Sequence, residues 1–265
     1  MVYLERKPGL PLRHFVQNLW YVNGPAEKHC RERMLPSGCA HIVLSLSRDY
    51  LTECKEGSPD RRISPALLVG QRSLYELIST SDFTDQAGVL FRPGIVPALL
   101  SDRADLISNC NFPLHQMWPD GADYLRGRLL EGSSSEARLR ILEDCLVALL
   151  DSRITSWTWS PHPAVRFALD QFERRQQLSV AELARQSGWS ERHFTQTFRE
   201  KIGFTPKVWN RLLRFQRAVR QLQAAREVSW AELAIDCGYY DQSHFANEFR
   251  TFAGIDLTTY TAGLS

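Results

Sequence analysis

The segment Ser-Val-Ala-Glu-Leu-Ala-Arg-Gln-Ser-Gly-Trp-Ser, residues 179–190, recurs at residues 229–240 as Ser-Trp-Ala-Glu-Leu-Ala-Ile-Asp-Cys-Gly-Tyr-Tyr. The two copies share Ala-Glu-Leu-Ala and the glycine that follows it, and their similarity continues to Gly203 in the first copy and Gly254 in the second. A repeat of this size indicates one structural unit that is built twice.

Each copy has the pattern of two short helices joined by a glycine turn. In the first copy, Ser179 begins the Ser-x-x-Glu pattern of a helix start, and Gly188 suits the left-handed turn that ends a helix. Ser190 is the expected cap of a second helix, in which Phe194 and Phe198 share one face. The second copy repeats this pattern, with an aspartate as its second cap. Such a unit is a helix-turn-helix, whose second helix enters the major groove of DNA.

The segment from Pro206 to Arg226 is predicted to form one long helix between the two units. About 21 helical residues span ~31 Å, which is close to the ~34 Å between major-groove openings on one face of DNA. One chain could therefore place two recognition helices in successive major grooves. A stack of solenoid repeats is the alternative interpretation, but solenoids generally need three or more repeats and this chain has two.

This long helix and the residues before it are strongly basic. Between Arg199 and Arg226 the chain has eight basic residues and one acid, Glu200, although its net charge over 265 residues is only +2. A charge run is often only a solvated surface, but this one connects two candidate groove-binding units and so predicts contacts with phosphates. The basic residues are Arg199, Lys201, Lys207, Arg211, Arg214, Arg217, Arg220 and Arg226.

Several motifs extend the pattern over residues 162–260. They are the two Ala-Glu-Leu-Ala blocks, Gly188-Trp189-Ser190, the run from Phe198-Arg199 to Gly203-Phe204-Thr205-Pro206, and Gly238-Tyr239 with Asp241-Gln242-Ser243-His244-Phe245. With these motifs the segment resembles the DNA-binding domain of the AraC/XylS family of transcriptional regulators, in which a long helix joins two helix-turn-helix units. The family usually has Thr-Pro after the final glycine, whereas this chain has Asp256-Leu257.

The resemblance implies which side chains face DNA. The base-contacting positions would be Arg192, Thr195 and Gln196 in the first unit and Gln242, Ser243, His244 and Asn247 in the second. Their chemistry fits, because arginine pairs with guanine, and glutamine and asparagine pair with adenine, in the major groove. Phosphate contacts, which position a protein without reading sequence, are expected from Arg199, Lys201, Arg211, Arg214, Arg250 and Thr251.

Residues 1–155 differ in character and are predicted to form a separate domain. They contain 18 basic and 19 acidic residues, so they offer no electrostatic reason to bind DNA. Short apolar runs between Gly, Pro and Ser clusters predict strands of a small β-barrel or sandwich; in AraC-like regulators this position commonly holds a cupin-like effector or dimerisation domain. The predicted strands are Phe15–Val22, Ala40–Leu46, Ala66–Val69 and Gln86–Phe91.

Helices are predicted after the strands, so the predicted fold class is α+β, with an all-α DNA-binding domain at residues 156–265. The prolines between Ser152 and Pro163 mark the boundary. The leucines of the helix before it recur at spacings of three, four and three, the pattern of a helix-pairing seam. They could form a homodimer through residues 134–152 or cover the barrel of their own chain. The helices are Ile95–Asp102, Asp120–Glu131 and Ser134–Ser152, and the leucines are Leu139, Leu142, Leu146 and Leu149.

The N-terminal domain offers candidate ligand contacts but no persuasive metal or catalytic site. A Cys-His nucleophile pair is an alternative, but no pattern orients it or supplies an oxyanion site. The soft ligands His29, Cys30, Cys39, His41 and Cys54 lack the spacing of a metal site, so no metal or cofactor is predicted. If a small-molecule effector binds, the candidate residues are Trp20, Tyr21, His41, Tyr50 and Arg92.

Three functional interpretations compete. The favoured one is a bacterial transcriptional regulator, such as an activator, that binds double-stranded promoter DNA, contacts RNA polymerase, and senses an effector or dimerises through its N-terminal domain. The second is an enzyme or ligand-binding barrel with a degenerate DNA-binding tail. The third is an interaction protein whose double unit no longer reads DNA, because Leu257 replaces a proline. Six scattered cysteines, and no signal segment or membrane span, predict a cytoplasmic protein.

Overall fold

Two large hydrophobic cores organise the described part of the chain. The computed structural model describes residues 2–25, 31–82, 84–100, 102–151, 161–174, 178–224 and 229–263. One core contains buried side chains from Leu12 to Leu150, and the other contains buried side chains from Val165 to Leu257. The α+β class is confirmed, with antiparallel sheets in the first part and helices in the second. The predicted boundary near residue 155 lies outside the described residues.

The N-terminal part contains two antiparallel sheets. The larger has the strand order β1-β2-β9-β4-β7-β10, and the smaller has the order β3-β8-β5-β6. The four strands predicted from sequence are β2, β9, β4 and β7, which lie side by side at the centre of the larger sheet. The strands are β1 (Val2–Arg6), β2 (Val16–Asn23), β3 (Arg31–Met34), β4 (His41–Ser45), β5 (Leu51–Glu53), β6 (Arg61–Ile63), β7 (Ala66–Val69), β8 (Glu76–Ser79), β9 (Asp85–Phe91) and β10 (Asn111–Pro113).

Of the two predicted arrangements, barrel or sandwich, the strands form two separate sheets and not a closed barrel, since no strand pairing joins the larger sheet to the smaller among the described strands. Side chains alternate between the two faces of the larger sheet, as the pleat requires. On β2, Leu19 is fully buried in the first core with the helices, whereas Trp20 faces the smaller sheet. A cavity therefore lies between the sheets, and a helical layer covers the opposite face.

The three predicted N-terminal helices are present as α1 (Val96–Leu100), α2 (Pro119–Leu130) and α3 (Ser135–Asp151). On α3, Leu139, Leu142 and Leu146 are at most 4% exposed and belong to the first core, with Leu149 packed partly against it. The leucine stripe therefore covers the sheet of its own chain, as one of the two interpretations required. It is not free to act as a pairing seam for a second subunit.

The C-terminal part is helical throughout its described residues. Serine or aspartate side chains cap the helices as the sequence predicts: Ser179 and Glu182 form a reciprocal capping box, and Asp241 accepts a hydrogen bond from the His244 amide. No helix among the described residues is long and apolar enough to cross a bilayer. The helices are α4 (Pro163–Glu173), α5 (Val180–Gln186), α6 (Glu191–Ile202), α7 (Pro206–Ala224), α8 (Trp230–Asp236), α9 (Gln242–Ala253) and α10 (Leu257–Ala262).

Candidate nucleic-acid interface

Helices α5 and α6 form one helix-turn-helix unit, and α8 and α9 form the other. The glycines of both turns have positive φ, 73° at Gly188 and 81° at Gly238, a conformation that glycine adopts without steric cost. Phe194 and Phe198 of α6, like Phe245 and Phe249 of α9, are fully buried. Because these apolar faces point into the shared core, each second helix presents its polar face outward.

The predicted base-contacting residues lie on these outward faces. Their polar atoms are accessible to a ligand, although contact with DNA stays a prediction. The Gln196 amide donates a 2.6 Å hydrogen bond to Glu200, and the His244 Nδ1 accepts one from the Tyr240 amide. Arg192, Gln196, Gln242, Ser243 and Asn247 are exposed, and Thr195 and His244 are half-buried.

Glu248 belongs to the candidate interface, although no sequence pattern had indicated it. Its side chain is only 9% exposed, and its carboxylate lies 2.5 Å from the Arg211 Nε and 3.3 Å from the Arg214 Nη2. Arg214 also donates to the carbonyl of Gly238, in the turn before α9. The two arginines therefore attach the long helix α7 to the second unit. Their guanidinium groups are engaged inside the domain, so the basic run is not simply a solvent-facing stripe.

Arg199 is held in a similar way by the N-terminal part of the chain. Its Nε lies 3.2 Å from the carboxylate of Asp105, which also accepts hydrogen bonds from Arg103. Those hydrogen bonds, with the positive charges of Arg103 and Arg199, lower the pKa of Asp105 below its ordinary value. Arg103 reaches Glu200 as well, at 3.4 Å. The loop at residues 102–108 thus neutralises charge at the C-terminal end of the first recognition helix.

The remaining predicted phosphate contacts lie at the C-terminal ends of the two recognition helices. Arg250 and Thr251 are exposed at the C-terminal end of α9, and Lys201 is half-buried at the end of α6. Tyr240, just before α9, is 85% exposed. No sequence motif marks Tyr240. Its neighbour Tyr239 is buried in the core, and adjacent residues in a turn can point in opposite directions, so this neighbour could have indicated that the Tyr240 ring points outward.

Both recognition helices meet the N-terminal part at their C-terminal ends. The Ser108 hydroxyl donates a 2.9 Å hydrogen bond to the carbonyl of Gly203, after α6. The Tyr75 amide donates one of the same length to the carbonyl of Phe252 on α9. A Cβ at Gly254 would lie 2.2 Å from the Tyr75 ring, so this glycine allows close approach. These contacts join residues distant in sequence, and no local pattern predicts them.

Comparison with known proteins identifies this double unit. A family model described as a helix-turn-helix domain matches residues 183–263, and one described as a domain of unknown function matches residues 4–113. The chain carries an AraC-type helix-turn-helix domain. No curated protein matches it.

Several solved structures are similar to the chain. An apo variant of ToxT from Vibrio cholerae is 13% identical and aligns over 98% of this chain and 100% of its own, with a TM-score of 0.49. An AraC-type regulator from Chromobacterium violaceum is 25% identical over 39% of this chain and 93% of its own, with a TM-score of 0.36. The C-terminal domain of AraT from Geobacillus stearothermophilus is 19% identical over 40% and 88%, with a TM-score of 0.37.

The last turn of the AraC-type domain keeps its structure without the usual proline. The Asp256 carboxylate accepts a 2.9 Å hydrogen bond from the Thr259 amide and so caps α10. Leu257 is 3% exposed and lies in the second core. The interaction-protein interpretation depended on the replacement of the usual proline by Leu257. A capping aspartate and the burial of this leucine compensate for that replacement.

The inter-sheet cavity of the other part has a volume of about 510 Å³. Of the five predicted ligand residues, Trp20 and His41 line this cavity, and the other three are not among its lining residues. Tyr21 lies on the opposite face of β2 and accepts a hydrogen bond from Arg138. Tyr50 is covered by the Arg62 guanidinium, 4.3 Å from the ring centre, and the Arg92 Nε donates to the Arg13 carbonyl.

The protonation states of Cys39 and His41 oppose the nucleophile-pair alternative. Burial raises the pKa of the Cys39 thiol to about 12, so the thiolate is scarce at neutral pH. Burial, with the nearby charge of Arg72, lowers the pKa of His41 to about 4. Among the described residues no group of three His, Cys, Asp or Glu side chains could hold a metal ion; His29 and Cys30 lie outside them.

The low pKa of His41 predicts an acid-sensitive fold. The unfolded chain binds a proton at His41 near pH 6.5, whereas the folded chain does so only near pH 4. The contribution of the neutral His41 to stability should therefore be fully present above pH 6.5. The free energy of unfolding should fall by roughly 3 kcal/mol as the pH decreases from 6.5 to 4. Urea unfolding at pH 7.5 and pH 5 measures the change. His41→Gln should remove this part of the pH dependence, while His115→Gln, at an exposed position, should leave it; equal profiles for wild type and His41→Gln would contradict the assignment.

Proposed function

We propose that the chain is a sequence-specific transcription regulator that binds double-stranded promoter DNA with α6 and α9 in successive major grooves. The observation that carries this proposal is the duplicated frame: two capped units share one core and present different polar sets outward. Arg192 and Gln196 suit guanine and adenine, and Gln242 and Asn247 suit adenine. The two units therefore read unlike stretches of DNA.

The backbone of the DNA would follow the exposed cations around the two units. Arg250, Thr251 and Lys201 are placed at the ends of the recognition helices for phosphate contacts. Between the units, Lys207, Asn210, Arg211 and Arg214 line a cleft of about 530 Å³. Arg211 and Arg214 have Glu248 as a partner, so in our proposal they contribute to the potential of the cleft and hold α9 in place. Arg199 contacts a phosphate once its ion pair with Asp105 is broken.

The N-terminal part, residues 1–155 in our proposed division, senses a small molecule in the inter-sheet cavity and passes the signal through its contacts with both recognition helices. A homodimer through residues 134–152 would have to use the outward side of α3, since its leucines are buried. Contact with RNA polymerase and a cytoplasmic location follow from the proposed role. No observation favours the enzyme alternative, and the protonation states of Cys39 and His41 oppose it.

Footprinting of the purified full-length protein on fragments of its own genome tests the proposal. We expect protected sites containing two dissimilar half-sites about one helical turn apart, with affinity that falls steeply as salt rises. The footprint length also reports whether one or two chains bind. Binding that shows no preference for any fragment would exclude a sequence-specific regulator.

Freeing Arg199 should strengthen DNA binding in a sequence-independent way. In Asp105→Asn the ion partner of Arg199 is lost, and one negative charge beside the C-terminal end of α6 is removed. We expect affinity to rise about equally for all sequences and the salt dependence to steepen by about one phosphate contact. Fluorescence anisotropy across a salt series measures both. Asp102→Asn is the matched control, because this exposed acid lies in the same loop; an unchanged salt slope in Asp105→Asn would assign Arg199 a purely structural role.

A further inference from the structure

The walls of the inter-sheet cavity are mainly apolar. Leu67 and Val69 of β7 face Leu51, Ile63 and Ile78 of the smaller sheet across it. A volume of about 510 Å³ is typical of sites for small organic ligands, which generally have apolar walls and a few polar groups. The charged groups of the lining therefore decide which ligand is accepted.

All of the charged side chains that line the cavity are acids. No lysine or arginine is among the described lining residues, and His41 is neutral at physiological pH because burial lowers its pKa to about 4. Glu53, Glu76 and Asp82 pair with Arg61, Arg72 and Arg48, which are not among the lining residues. A ligand in the cavity therefore meets carboxylate oxygens, which repel an anionic group at contact and attract a cationic one in competition with these arginines. The acids are Glu5, Glu32, Glu53, Glu76 and Asp82.

Trp20 adds an aromatic surface to this acid-lined cavity. A Cβ at Gly88, its neighbour on β9, would lie only 2.2 Å from the indole, so the ring lies directly against the glycine backbone. Trp20 is also one of the lining residues of the cavity. Indole is the best of the aromatic rings for binding a cation over its face. Opposite charge and an aromatic face thus occur together in one apolar enclosure.

His41 lies in the wall of the same cavity. Burial and the nearby charge of Arg72 lower the pKa of its imidazole to about 4, so the ring is neutral at physiological pH. A neutral imidazole adds no positive charge to the wall that would repel a cation.

We propose that the inter-sheet cavity binds an organic cation with an apolar body, and that the cation competes with Arg72 for Glu76 and Asn111. Glu76 and Asn111 line the cavity, and the Arg72 Nη2 lies 2.7 Å from an oxygen of each. The Arg72 Nη1 donates to the carbonyl of Asn109, 3.2 Å away. Arg72 therefore ties the cavity wall to the loop that precedes β10.

Arg72 connects the two segments that touch the recognition helices. Ser108, beside Asn109, holds the carbonyl of Gly203 after α6, and Tyr75, beside Glu76, holds Phe252 of α9. A cation that takes over Glu76 would loosen Arg72 and with it both contacts. This regulatory consequence rests on the function proposed above, but binding of the cation does not.

Two probes of the same shape and opposite charge test the ligand class: tetraphenylphosphonium and tetraphenylborate. Titration calorimetry on the full-length protein, without DNA, is expected to show the phosphonium binding at least about tenfold more tightly. Equal or tighter binding of the borate, or no binding of the phosphonium, would overturn the proposal. Neither result bears on DNA binding, which footprinting measures separately.

Matched variants locate the binding. Glu76→Gln and Trp20→Leu should each weaken phosphonium binding about tenfold, whereas Glu56→Gln, an exposed acid outside the cavity, should not change it. Thermal melting without a probe checks that each variant folds. If Glu76→Gln does not fold, the comparison of the two probes on the wild-type protein still tests the ligand class. If Glu56→Gln weakens phosphonium binding as much as Glu76→Gln does, the phosphonium does not bind in this cavity.

Hydrogen exchange tests the connection through Arg72. Addition of tetraphenylphosphonium should speed amide exchange at residues 103–111 and at the C-terminal ends of α6 and α9. Binding that leaves exchange at these segments unchanged would refute the competition with Arg72.

Discussion

Replacing Arg192 and Gln242 together by alanine is expected to abolish most of the sequence discrimination while leaving nonspecific DNA binding in place. Each side chain is exposed on a different recognition helix, and loss of one base contact costs roughly 1–3 kcal/mol. Distant sites with no shared partners add, so the double variant should lose roughly 2–6 kcal/mol of specific binding. Neither truncation opens a cavity, because neither side chain is buried.

Competition binding measures this loss, with the footprinted site set against unrelated DNA of equal length. Each single variant should also relax the base preference in its own half-site only. Gln223→Ala, a change at an exposed position on α7 outside both recognition helices in sequence, is the matched control and should keep wild-type discrimination. A double variant that still discriminates as the wild type does would show that other residues read the DNA.

Glu248→Ala should strongly destabilise the AraC-type domain. The carboxylate is buried between Arg211 and Arg214, and its loss leaves two half-buried guanidinium groups without their partner. Removing one partner of a buried ion network typically costs about 3–5 kcal/mol. Because Glu248 lies on α9 and both arginines lie on α7, the second recognition helix should also lose its fixed position and specific DNA binding should weaken.

Urea unfolding of the full-length protein, followed by hydrogen exchange in α7 and α9, measures this effect. The triple variant Glu248→Leu, Arg211→Met, Arg214→Met is the informative control, since an apolar replacement of a whole buried ion network is often neutral or stabilising. It should regain stability but not the positive potential of the cleft. A cost below about 1 kcal/mol for Glu248→Ala would mean that the network contributes as little as an exposed ion pair.

The local architecture could be predicted because its signals are local. Ser179 with Glu182 specifies a helix start through bonds that span three residues. The strands β2, β4, β7 and β9 were predicted because they are apolar and central, whereas β1, β3 and β6 are mostly exposed. A short, exposed strand is hard to distinguish from a loop, because pairing with its neighbour rather than its own composition makes it a strand.

The partners of the basic residues between Arg199 and Arg226 could not be predicted from the sequence. Its composition indicated a surface for phosphates, but Arg211 and Arg214 pair with Glu248, Arg199 pairs with Asp105, and the Arg217 guanidinium donates to the carbonyl of Phe172. Their partners are distant in sequence and brought close only by packing. The position of the candidate ligand residues also depends on packing. Trp20 lines the cavity and Tyr21 does not, because the strand pleat places their side chains on opposite faces of one sheet.

The sequence by itself determined the duplicated helix-turn-helix frame, its caps and glycine turns, and the two different outward-facing sets of side chains, since each depends on residues a few positions apart. Only the tertiary structure decided that the strands form two sheets with an acid-lined cavity between them. It also decided which arginines are engaged and where the N-terminal part holds both recognition helices. Those features depend on contacts such as Ser108 with Gly203 and Arg211 with Glu248, which form only when the folded chain brings distant charges and donors together.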